Sequence, residues 1–97
     1  MRVKRIGVVG AGIMGRGIAQ VAAQGGFQTT LQDVDPRQLE AAVVAMRKSL
    51  DKSVELQKVS REEADAALAR LATTTALGKV AEGADLVIEA APENIEL

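Results

Sequence analysis

Three glycines and one carboxylate are the residues of this sequence whose types and spacing can do chemistry. Gly10, Gly12 and Gly15 stand in G-x-G-x-x-G register within RIGVVGAGIMGRG, and Asp33 follows at about the 20-residue separation such a motif requires. Gly10 permits a tight turn, Gly12 lets a phosphate approach the backbone with no Cβ in the way, and Gly15 lets a following helix pack close to the strand before it. The front of that helix then aims unpaired N–H groups and the positive end of its dipole at the phosphate, so no cationic side chain is needed. Asp33 is placed to accept hydrogen bonds from both hydroxyls of an adenosine ribose, and its charge repels a 2′-phosphate. NAD is therefore favoured over NADP, although Arg37 is close enough to keep NADP open. The plainer alternatives are a glycine-rich tight turn with no ligand, and an Asp33 that only caps its own turn.

These residues need a strand–turn–helix frame. Ile6, Val8 and Val9 suit a buried parallel strand, with Gly7 its weak point. Ile13, Met14, Ile18, Val21 and Ala22 have helical spacing, and Gly25 and Gly26 stop the helix. Ala11, Ile13 and Met14 lie within the motif. Ile13 and Met14 either face the cofactor or pack into the core, and their apolar spacing favours packing. Phe27 to Leu31 reads as a second strand ending at Asp33. Asp35 caps a long helix with Pro36 in its first turn, and Leu39, Ala42, Val43, Met46, Leu50 and Val54 form its apolar stripe. The opposite face, from Arg37 to Glu55, is charged and solvated.

After a break at Gln57 to Val59, Ser60 and Glu63 match a capping box. Ala64, Ala67, Leu68 and Leu71 face inward from the helix it starts, which completes a helical hairpin inserted between the second and third strands. Thr73 to Thr75 predicts a short third strand, Gly78 to Glu82 a helical turn, and Asp85 to Glu89 a fourth strand buried on both faces. The fold class is α/β, a Rossmann-type parallel sheet of order 3-2-1-4. The first and fourth strands then lie side by side, and Ala90, Ala91 and Glu93 leave the fourth strand on the rim that carries the glycine turn.

Composition narrows the function classes. The 97 residues make one domain, short for a complete two-half sheet, and residues 1–97 are expected to be an incomplete dinucleotide-binding domain. Twelve basic and 13 acidic residues are interspersed, so neither nucleic acid nor a membrane surface is an expected partner. There is no signal-peptide pattern, and the expected location is cytoplasmic. The chain has no Cys and no His, which removes thiolate nucleophiles, Cys-built zinc sites and the commonest general acid/base.

With these residues assembled, the chain resembles the NAD-binding N-terminal segment of the 3-hydroxyacyl-CoA dehydrogenases, including its 3-hydroxybutyryl-CoA dehydrogenase-like members. The resemblance rests on IGVVGAGIMGRGIAQVAAQGG, LQDVDP, SREEADAALARL and ADLVIEAAPENIEL, and spans essentially all of the sequence. It implies oxidation of L-3-hydroxyacyl-CoA to 3-ketoacyl-CoA with NAD, as in fatty-acid β-oxidation. It also implies pyrophosphate binding at Gly10 to Gly15, ribose binding at Asp33, positioning of the nicotinamide side by Glu93, and contact of Ser49 with the CoA part of the substrate. The family's lysine near that serine is not matched, since Leu56 stands at its place and Lys58 lies two residues on. The family's catalytic His and its Glu, Ser and Asn companions come after the equivalent of Leu97. No catalytic residue is therefore expected in the 97 residues, nor turnover from them alone. Other readings are a free-standing dinucleotide-binding module and part of an NAD(P)-dependent β-hydroxyacid dehydrogenase. A sheet that stops at the fourth strand leaves an open edge, which predicts self-association.

Overall fold

The structure, a computed structural model, describes residues 2–90. Strands β1 (Arg5–Val9), β2 (Gln28–Gln32), β3 (Leu71–Thr74) and β4 (Leu86–Glu89) form one parallel sheet in the expected order β3-β2-β1-β4. Helix α1 (Ile13–Gln24) crosses from β1 to β2, and the hairpin of α2 (Pro36–Glu55) and α3 (Arg61–Ala69) crosses from β2 to β3. The short α4 (Leu77–Ala81) precedes β4. Val9 pairs with Gln32 on one side and with Glu89 on the other, and Gln32 pairs with Thr74. That register levels the carboxyl ends of all four strands, so Gly10, Asp33, Thr75 and Ala90 occupy one rim.

Local chemistry accounts for the helix boundaries. The Asp35 side chain accepts from the Arg37 amide ahead of Pro36, and Ser60 and Glu63 form the full reciprocal capping box at α3. Helix α2 buries Leu39, Ala42, Met46 and Leu50, with Val43 and Val54 partly covered, and Leu50 meets Ala23, Ala64 and Ala67 where the hairpin packs on α1. Arg61 of α3 reaches Asp51 of α2 at 2.9 Å on the exposed side, a solvent-screened pair that contributes little to stability. Gly7 lies within β1 for a packing reason. A Cβ there would lie 2.8 Å from Val80 Cγ1, so its absence lets α4 sit directly on the strand.

Three expectations need correction. The third strand starts at Leu71, not Thr73, because α3 runs into it through Arg70 with neither Gly nor Pro to mark the change, and Leu71 belongs to the strand rather than the helix face. Of the expected stripe on α1, Ala22 is buried and Ile18 half-buried against the core, whereas Ile13, Met14 and Val21 point outward; Gly15, Ala19 and Ala22 are small enough to let helix and strands approach closely, and Ala23 packs on the hairpin. In β4, Leu86 and Val87 remain 46% and 45% exposed, since β1 covers one edge only and no described strand pairs with the other. Among the described residues no helix is long and apolar enough to cross a membrane.

Candidate functional site

The glycine turn is built as its spacing requires. Gly10 has φ of 101°, which L side chains rarely adopt, and its amide still donates to Gln32 O at 2.7 Å as the last rung between β1 and β2. A Cβ at Gly15 would fall inside the Gly10 carbonyl group, so only glycine lets α1 begin this close to the turn. Gly12 is different. Nothing lies within 4 Å of a Cβ placed there, and the space in front of its backbone is open.

Among the described residues no side chain caps the front of α1. Gly12 is its N-cap with no side-chain hydrogen bond, and the first turn contains no acidic residue. The first bond into the helix runs from Arg16 N–H to Gly12 O at 2.9 Å, which leaves the amides of Gly12 to Gly15 without intrahelical partners. Helices α2 and α3, by contrast, are capped by Asp35 and by Ser60 with Glu63. An anion is what would complete the front of α1.

Asp33 stands beside this front, half-buried at the tip of β2. Its Oδ2 accepts from Ala11 N–H and its Oδ1 from Asp35 N–H, both at 2.9 Å, so the carboxylate caps its own turn and also reaches the glycine turn. Two residues on, the Arg37 amide holds the Asp35 carboxyl below its usual range, helped by the Arg37 guanidinium at 3.4 Å. Arg37 is thus turned toward Asp35.

Ala90 continues the β4–β1 pairing through its amide to Val9 O at 2.7 Å, and it is buried with its Cβ 3.6 Å from where one on Gly15 would be. Gly10, Ala11, Gly12, Gly15, Asp33 and Ala90 are therefore brought together. Ala91 and Glu93 lie outside the described residues. Ile13 and Met14 are 84% and 68% exposed, which overturns the packing expectation for them. They border an open apolar groove of about 750 Å³ that continues along Val21 and Phe27 to Ile88 of β4. A polar cavity of about 350 Å³ beside Arg5, Gln28 and Gly83 sits at the amino ends of the strands, the wrong end for this site. Ser49 is exposed and accepts from Gln20 Nε2 at 2.9 Å. Gln20 is eight residues into the chain from Gly12, about 12 Å along the helix axis, so Ser49 is not gathered with the glycine turn.

Two positioning residues escaped the sequence reading. Gln32 is buried and donates from Nε2 to Thr75 O at 3.2 Å, tying the loop after β3 to the rim. A polar residue at the end of an interior strand was the available signal. Arg16, the residue after Gly15, donates from Nε to Gly12 O at 3.4 Å.

Comparison with known proteins adds the family. The family model described as 3-hydroxyacyl-CoA dehydrogenase, NAD binding domain, matches residues 5–97. The chain belongs to this family. A probable 3-hydroxybutyryl-CoA dehydrogenase of Bacillus subtilis is 41% identical over 95 residues, which is 98% of this chain and 33% of that protein. Among solved structures, a 3-hydroxybutyryl-CoA dehydrogenase from Escherichia coli K12 superposes with a TM-score of 0.91 at 39% identity, over 96% of this chain and 20% of that one. An (S)-3-hydroxybutyryl-CoA dehydrogenase from Ralstonia eutropha gives 0.90 at 34% identity, over 96% and 32%. The chain thus spans a third or less of the dehydrogenases it matches. The Rossmann-type sheet, the NAD-binding assignment and the glycine-turn reading all point to one domain of an oxidoreductase family.

Proposed function

We propose that residues 1–97 form an incomplete dinucleotide-binding domain that holds and orients NAD for oxidation of an L-3-hydroxyacyl-CoA to the 3-ketoacyl-CoA. The observation that carries this reading is the uncapped front of α1, open at Gly12, with the Asp33 carboxylate beside it. The groups present suit the cofactor: the amides of Gly12 to Gly15 donate to the pyrophosphate, the Asp33 carboxylate accepts from the adenosine ribose, and Ala90, its own amide paired with Val9 O, flanks the turn on the far side. Ala91 and Glu93 belong to the proposed cofactor contacts on the nicotinamide side, and the exposed Ile13 and Met14 to its border. NAD, when bound, supplies the hydride acceptor.

The residues of this chain bind and orient. None of them is a histidine, and the proton of the 3-hydroxyl is proposed to leave to a base that these 97 residues do not contain, so they are expected to bind cofactor without turnover. NAD is preferred over NADP because Asp33 is an acceptor only and would face the charge of a 2′-phosphate. A contact of Ser49 with the CoA moiety is part of the proposal, with Gln20 as its present partner. The proposed location is the cytoplasm, with neither nucleic acid nor membrane as a partner, in keeping with the balanced charge.

Self-association is proposed through the edge of β4 that no described strand pairs, beside Leu86 and Val87. Sedimentation at tens of micromolar should show dimers or larger species; a strictly monomeric protein contradicts this part. For the cofactor assignment, calorimetric titration of wild type and Asp33→Ala with NAD and NADP is decisive. Wild type should bind NAD more tightly than NADP, and Asp33→Ala should lose most of the NAD affinity. Equal binding of both dinucleotides by both proteins would overturn the assignment.

A further inference from the structure

The Asp33 carboxylate is shared between two turns that belong to different crossovers, the one after β1 and the one after β2. Ala11 is fully buried, so its amide cannot turn to water for a partner. The strand ladder does not serve it either. The Gly10 amide still pairs with Gln32 O, but the positive φ of Gly10 turns the next amide away from the sheet, and it meets Asp33 Oδ2 instead. The peptide joining Gly10 to Ala11 is thereby held at both ends, its N–H by Asp33 and its C=O against the bare Cα of Gly15.

We infer that Asp33 is a positioning residue for the glycine turn as well as the ribose acceptor: acting through Ala11, it fixes the turn that aims the α1 amides at the pyrophosphate before any nucleotide arrives. The inference rests on the pyrophosphate reading above and deepens it. Both roles fit one carboxylate. An ionised carboxylate has about four acceptor sites, two per oxygen. The amides of Ala11 and Asp35 take one on each oxygen, and one on each remains for the two ribose hydroxyls. A turn ordered in advance leaves less freedom to be lost on binding, so Asp33 raises affinity at a phosphate subsite it does not touch.

The test separates the two roles with two ligands, ADP and 2′,3′-dideoxyadenosine 5′-diphosphate, which keeps the pyrophosphate and lacks both hydroxyls. Binding to wild type, Asp33→Ala and Asp33→Asn is followed by amide chemical-shift titration below the unfolding temperature of each. If Asp33 positions the turn, Asp33→Ala weakens the dideoxy ligand by about tenfold or more, the effect of losing a charge-assisted hydrogen bond. Asp33→Asn, which keeps one acceptor oxygen in the same place, should lie between, and it carries the test if the alanine variant does not fold. A merely structural role would lower the unfolding temperature and leave the affinity of the folded protein unchanged. Hydrogen exchange at the Ala11 amide gives a reading free of ligand: protection should fall in both variants. Dideoxy affinity equal to wild type, or unchanged Ala11 protection, overturns the inference while the ribose role survives. Failure of wild type to bind either nucleotide overturns the pyrophosphate reading, and the inference with it.

Discussion

Gly12 and Gly15 sit three residues apart in one motif, and the structure gives them opposite sensitivities. A methyl group at Gly12 meets no protein atom within 4 Å, and its φ of −69° and ψ of −169° suit any residue. The loss of a good N-cap residue, up to about 1 kcal/mol, is offset by the ~0.4–1 kcal/mol that Gly→Ala gains by restricting the unfolded chain. Stability should therefore stay near wild type. Binding should not, because the methyl occupies the space a phosphate must enter and keeps it beyond hydrogen-bond reach of the helix amides. Two charge-assisted hydrogen bonds lost at about 1.5–3 kcal/mol each weaken NAD by roughly a hundredfold or more. Gly15→Ala instead drives a Cβ into the Gly10 carbonyl and must lift α1 off the turn. Overpacking of this kind costs about 1–3 kcal/mol, which in a domain of this size lowers Tm by about 4–24 °C. Thermal unfolding by circular dichroism and calorimetric titration with NAD read the two effects separately. Near-wild-type NAD affinity in Gly12→Ala, or a Tm loss there matching Gly15→Ala, would refute this division of roles.

Other perturbations reach the frame around the site. Gly7→Ala should push Val80 and α4 from β1 and cost about 1–3 kcal/mol in urea unfolding, whereas Gly78→Ala, open within 4 Å, should cost far less. Ser60→Ala removes the side-chain half of the capping box and should lower stability by about 0.5–2 kcal/mol by the same measurement. The Asp85 carboxylate accepts from the Lys4 and Arg5 amides, which hold its pKa below the ordinary 3.8. A pKa depressed by folding adds stability that is fully present above the unfolded value and lost as pH falls through the folded one. Asp85→Asn should thus destabilise at neutral pH and converge on wild type below the ordinary carboxylate range, as read from unfolding midpoints against pH.

Much of the frame was legible because its signals are local. Asp35 before Pro36, Ser60 three residues before Glu63, and the stripe from Leu39 to Leu50 each name their element without reference to the rest of the chain. The strand order followed from right-handed crossovers once the alternation of strands and helices was read. What was illegible depends on neighbours. Periodicity marks Ile13, Met14, Ile18, Val21 and Ala22 as an apolar stripe, of which only Ile18 and Ala22 pack inward, because the sheet contact is made by the smaller Gly15, Ala19 and Ala22, which permit closer approach. Leu71 carries the same apolar signal in a helix or a strand, and without a breaker at Arg70 the boundary slid. The glycine register and Asp33 were plain from spacing, yet their hydrogen bond through Ala11 spans 22 residues and is a product of the fold. Gln32 and Arg16 gave only faint signals, since their partners are backbone carbonyls, Thr75 O in a distant loop and Gly12 O four residues back.

Amide resonances of the 97-residue protein, followed as NAD is added, test the central claim most directly. The largest shifts should fall on Gly12, Ile13, Met14 and Gly15, accompanied by Asp33, with NADP producing weaker changes at the same positions. Shifts centred instead on the cavity beside Arg5 and Gly83, or no saturable change at Gly12 to Gly15, would contradict it.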